Sequence, residues 1–143
     1  MRHGLWAAPF AFALLVSIGS AAEAPADPSA ALIGTWRGDV MMASGTYPRT
    51  LVIKGVRDAG GRRVADAEFG GPGNYGSADE PTRPIAVNLE TFGDTVILRF
   101  TTYNAWPVKL SLHRDRRHLV GDLYLTYCLG AWGENPVRLT KVD

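Results

Sequence analysis

From residue 33 onward, apolar and polar residues alternate almost without interruption, and no stretch is long and periodic enough to demand a helix. A period of two turns successive side chains to opposite faces of a pleated ribbon, so the chain is constrained to short, half-buried strands. Eight can be delimited. "IGTWRGDVMM" (33–42) alternates Trp36, Gly38 and Val40 against Thr35, Arg37 and Asp39. "TLVIKGVR" (50–57) stops at the tight-turn sequence "DAGG", and "RRVADAEFG" (62–70) runs into the loop "GPGNYGSADEPTR". "PIAVNLE" (84–90) and "DTVILRFTTY" (94–103) flank "TFG". "PVKLSLHR" (107–114) and "HLVGDLYLTY" (118–127) are joined by "DRR", and "PVRLTKV" (136–142) closes the series. Short antiparallel strands at this spacing specify an all-β barrel or sandwich, and a barrel leaves no apolar edge exposed. The expected fold is an eight-stranded antiparallel up-and-down β-barrel.

In such an order alternate connections lie at the same end. Those after strands two, four and six are tight, whereas those after strands one, three and seven read as long, and the one after strand five carries Trp106. One end is therefore expected to be closed and the other to form an irregular mouth collecting Tyr47, Tyr75, Tyr103, Trp106, Tyr127 and Trp132. Those rings either cap the core or contact a ligand, and sequence leaves both readings open. The expected inward set includes Trp36, Val40, Leu51, Ile53, Phe69, Ile85, Val87, Val96, Leu98, Phe100, Leu110, Leu112, Leu119, Leu123, Leu125 and Leu139. Bulky lining in a short barrel favours a filled interior. Gly38, Gly55 and Gly121 read either as bends in the wall or as space for a ligand.

The first residues do not follow the strand pattern. Arg2 and His3 precede the apolar run "LWAAPFAFALLVSIG" and the small-residue segment "SAAEA", the arrangement of a secretory signal peptide. The run is shorter than the roughly 18–20 residues of a spanning helix. Cleavage is expected after Ala22, or alternatively after Ala24, with residues 23–32 a flexible leader and 33–143 a single domain. About 120 residues then remain, enough for one modest core. The net charge of +1 falls to 0 when Arg2 is removed and returns to +1 when Glu23 is removed as well. Neither value suits a nucleic-acid binder. Cys128 is the only cysteine, so no intramolecular disulfide can form, and a partly buried, inert thiol is expected. The mature chain is expected to be a periplasmic or extracellular monomer that leaves the membrane after cleavage and carries no cofactor.

Gly34-Thr35-Trp36 on the first strand, seven further short strands and a basic residue near the end of the last one resemble the calycin superfamily. The chain looks most like the small bacterial secreted lipocalin-like domains, over residues 33–142. The resemblance implies that Trp36 plugs the closed end and that a basic side chain from the final strand packs over its indole. Strand eight runs from the mouth to that end, so Lys141 fits this role better than Arg138, although Arg is the more usual residue there. It also implies a non-enzymatic barrel binding a small apolar or amphipathic ligand at its mouth. The alternative is an inhibitor or interaction module gripping a periplasmic protein through the mouth loops.

No catalytic constellation emerges. Asp66, Glu68 and Asp122 lie on strands without a spacing that pairs them, and no serine sits in a nucleophile elbow. "GGPGNYG" lacks the lysine and the helix of a phosphate loop. His113 and His118 flank a hairpin turn, but two histidines without a third ligand make a poor metal site, and Arg114, Arg116 and Arg117 oppose a cation. Arg37-Gly38-Asp39 is expected to be extended within strand one rather than presented at a loop tip.

Overall fold

The alternation closes on itself. The computed structural model describes residues 27–72, 82–126 and 132–143. The strands are β1 (Gly34–Met42), β2 (Gly45–Ala59), β3 (Arg62–Gly70), β4 (Arg83–Phe92), β5 (Thr95–Thr101), β6 (Pro107–Leu112), β7 (His118–Thr126) and β8 (Trp132–Lys141). Each pairs antiparallel with the next, and β1 also pairs with β8, so the sheet is a closed eight-stranded up-and-down barrel. Arg37-Gly38-Asp39 lies in mid-strand, hydrogen-bonded into the sheet on both sides.

Tight turns close one end. Gly60 and Gly61, both at positive φ (57° and 77°), make the two-residue β2–β3 connection, a conformation that side chains resist. The β1–β2 connection departs from expectation. It is not a long mouth loop but a two-residue turn at Ala43 and Ser44, because β2 begins at Gly45 rather than at residue 50. Tyr47 is consequently a strand residue opposite Val40, and its hydroxyl donates to Ser44 Oγ at 2.8 Å. Strand β2 is long enough to need a bend, and the ladder slips by one residue at Lys54, between Ile53 and Gly55.

The interior is filled by a continuous cluster that includes Trp36, Val40, Leu51, Ile53, Val87, Val96, Leu98, Leu110, Leu119, Leu123 and Leu139. Ile85 and Leu125, expected inside, are only partly buried against it. Two glycines on the inner face set how tightly the wall curls. A Cβ on Gly38 would lie 1.9 Å from the Arg138 carbonyl oxygen, and one on Gly121 would lie 1.9 Å from that of Lys109. Neither glycine lines a void; each is a place where adjacent strands approach too closely for a side chain.

Residues 28–32, expected to belong to a flexible leader, form a 3₁₀ turn (Pro28–Leu32) across the closed end. Leu32 and Ser29 are fully buried there. Asp27 caps the turn, accepting from the Ser29 backbone N–H (3.0 Å) and hydroxyl (2.6 Å), and pairs with Arg63 at the start of β3. The Trp36 indole N–H donates to the Leu32 carbonyl at 2.8 Å. Lys141 Nζ donates to the Ala31 carbonyl at 2.9 Å and lies 5.5 Å from the centre of the Trp36 ring. Arg138 pairs with Asp39 in the register and is exposed. The plug is thus tryptophan, lysine and 3₁₀ turn together.

Candidate functional site at the open end

At the opposite end the wall rises above the filled core. Phe69 and Phe100 meet edge to face within that core, with ring centres 5.2 Å apart. Above them is a cleft lined by Arg49, Phe69, Gly70, Gly71, Arg83 and Leu123, with Thr102, Tyr103, Asn104 and Trp106 on the β5–β6 connection. Its free volume, measured to the centre of a water-sized sphere, is about 50 Å³. A single water needs roughly 10–15 Å³ on that measure, so the cleft admits a small group rather than a whole lipid.

The β5–β6 connection is held in shape by its own backbone. Thr102 N–H donates to the Trp106 carbonyl and Ala105 N–H to the Thr102 carbonyl, both at 2.9 Å. Thr102 Oγ1 accepts from the Trp106 N–H at 3.1 Å, and Ala105 takes a positive φ of 63° to complete the loop. This fixes Trp106 half-buried against the core and leaves Tyr103 on the rim, 73% exposed. The Arg83 guanidinium lies 3.8 Å from the centre of the Tyr103 ring, a cation–π contact that ties the start of β4 to this loop.

Arg49 is the unexpected member. It shares the inward face of β2 with Leu51 and Ile53 and is buried. Its guanidinium donates to the carbonyls of Pro48 and Pro72, each at 2.7 Å, which anchors the strand at Gly71 and Pro72 beyond β3. Gly71, at φ 155°, passes so close that a Cβ there would lie 2.2 Å from the Pro48 carbonyl oxygen.

Of the six aromatic residues expected at the mouth, Tyr103 and Trp106 meet in the cleft. Tyr47 lies on β2 and does not line it. Trp132 begins β8 opposite Thr126, whereas Tyr75 and Tyr127 lie outside the described residues, as does Cys128. Arg49 and Arg83 are what sequence reasoning missed. The period-two pattern could have placed Arg49, two residues before Leu51, had the strand been begun earlier.

The carboxylates weighed for acid–base chemistry are engaged on the outer wall. Asp66 receives two bonds from Arg57 (2.9 and 3.2 Å), which hold its carboxyl below the usual range. Glu68 accepts from Lys54 at 2.7 Å and from Thr82 at 3.2 Å, with the same effect. Asp122 is opposite Lys109 and Pro136 on β7, away from both. No protein-family model matches this chain, and no curated protein matches it.

Proposed function

We propose that this chain is an exported, lipocalin-like barrel that binds one small amphipathic or apolar molecule at its open end and catalyses no reaction. The observation that carries this reading is the cleft over Phe69, which places Trp106 and Leu123 beside the polar groups of Arg83, Thr102 and Asn104. Apolar surface with a few convergent polar groups is the usual make-up of a small-molecule site. With so little enclosed volume, a ligand would insert one end and leave the remainder against Tyr103 on the rim. Native mass spectra of the untagged mature protein as purified should show a retained small-molecule adduct, and Trp106→Ala should lose it. Bare protein in those spectra, together with no change in Trp106 fluorescence on titration with fatty acids, sugars and aromatic dyes, would overturn the proposal.

The second reading is an inhibitor or interaction module, favoured by the exposed Tyr103 stacked with Arg83 on the rim. Tyr and Arg are frequent interface anchors. Recovery of a stoichiometric protein partner whose capture is lost in Tyr103→Ala would select it. Export is tested separately by sequencing the mature N-terminus, expected to begin at Glu23 or Pro25.

A further inference from the structure

The β6–β7 connection at the closed end reads His113-Arg114-Asp115-Arg116-Arg117-His118. Its backbone is fixed by His113 N–H donating to the His118 carbonyl (2.8 Å) and Arg116 N–H donating to the His113 carbonyl (2.9 Å). Arg116 adopts a positive φ of 57° to make the turn. The two imidazoles, five residues apart in sequence, are thereby brought to 6.2 Å between ring centres, at 83° to one another. Asp115 stands between them. One carboxylate oxygen is 3.2 Å from His113 Nδ1 and the other is 2.6 Å from His118 Nδ1. One donor atom from each of the three residues lies within 4.8 Å of the others. The third donor that the two histidines lacked in the sequence is supplied by the turn itself.

We propose that His113, Asp115 and His118 bind one late first-row divalent transition-metal ion, of the Zn²⁺ or Cu²⁺ class. Two imidazole nitrogens and one carboxylate oxygen suit these borderline ions. Mg²⁺ and Ca²⁺ are disfavoured because they take predominantly oxygen ligands. Bonds of about 2.0–2.2 Å separate neighbouring donors on a metal by roughly 3–3.5 Å. The His113 nitrogen already meets that spacing, whereas the His118 contact of 2.6 Å must open by roughly 0.4–0.9 Å and give up the proton that it holds. His113 Nδ1 also accepts from the Asp115 backbone N–H at 3.4 Å, which keeps the ring turned into the loop. Asp115 is aimed by donation from the backbone N–H groups of Arg117 (2.8 Å) and His118 (3.2 Å).

Water can complete the coordination, since His113 and Asp115 are exposed and His113 borders a hollow of about 420 Å³ whose other lining residues are Asp94, Thr95, Leu112, Arg114 and Arg116. Arg114, Arg116 and Arg117 are exposed, so their charges face high-dielectric water, which weakens their repulsion of a cation without removing it. The site is at the end opposite the cleft and does not depend on what binds there.

The test is calorimetric titration of the untagged mature chain with ZnCl₂, in a Cys128→Ser background so that the thiol contributes nothing. One Zn²⁺ per chain is expected, with no heat from CaCl₂. His113→Ala and Asp115→Asn should each weaken binding by at least about 10-fold, since even outer-shell losses cost 10–100-fold. Arg117→Gln should not weaken it. Thermal unfolding of His113→Ala, an exposed position, verifies that the barrel is intact. Absence of stoichiometric Zn²⁺ binding, or binding unchanged in both ligand variants, would refute the site and leave the His–Asp contacts as a solvated turn.

Discussion

Trp36 combines two demands that different substitutions separate. Its indole is fully buried and its N–H satisfies the Leu32 carbonyl. Trp36→Ala should cost about 3–5 kcal/mol as a large core truncation. Trp36→Phe should cost about 1–3 kcal/mol from the stranded carbonyl together with a smaller packing loss. Chemical denaturation of both variants checks the order. Gly38→Ala and Gly121→Ala make a different point, because each added methyl would meet a neighbouring backbone carbonyl rather than a movable side chain. Each should lose at least about 1–3 kcal/mol by overpacking, measured the same way, whereas Gly55→Ala meets nothing within 4 Å and should be far milder. Sequence could show that glycines interrupt inner faces. It could not tell an opening in the wall from a point of closest approach, since that depends on the twist between strands.

The 3₁₀ turn is an element whose attachment is partly ionic. Hydrogen bonds from the Ser29 hydroxyl and N–H, with Arg63 adding to them, lower the Asp27 carboxyl below its ordinary 3.8. The Thr35 N–H does the same for Asp143, on which it donates at 2.7 Å. A carboxyl depressed in the folded state binds its proton more readily once unfolded. Its contribution is therefore complete above 3.8 and is lost as the pH falls through the lower folded value. Melting temperatures of the wild type should drop more steeply in acid than those of Asp27→Asn, which forfeits the Asp27 part at neutral pH already. A slope unchanged by that substitution would remove Asp27 from the account. The turn was invisible in "PADPSAAL" because its order comes from tertiary contact: Leu32 is buried by the barrel, not by its neighbours in sequence. The same reason hid the start of β2, where Pro48 and Arg49 disguise a strand whose partner, β1, is what orders it.

At the scale of the whole molecule the period-two pattern carried the architecture, and most of the expected inward residues form the core. The small members Ala65 and Ala67 and the polar Arg49 and Asn135 are inside without having been named for it, and so are the apolar Leu89, Val108 and Val137, which the alternation itself places there. Short or polar side chains carry no hydrophobic signal of their own. Asn135 is accommodated by donating to the carbonyls of Leu123 and Gly133, at 3.0 and 3.1 Å. The candidate site was legible only as an end of the barrel. Which rings meet there was settled by the backbone of residues 102–106, a short loop with a positive φ at Ala105 that no alternation pattern foretells.

The plug also brings the two ends of the described chain together. Ala31 touches Lys141 and Thr35 touches Asp143, on the side away from the cleft. The barrel can therefore be cut open elsewhere and rejoined here by a short linker. A circular permutant beginning at Ser44, in the β1–β2 turn, should fold with every ladder intact, as far-ultraviolet circular dichroism and its melting curve would show. Loss of cooperative melting in that permutant would mean that the β1–β2 turn is needed for folding. The same geometry makes the molecule a directional object: tethered to a surface by either end, it would present its open rim outward.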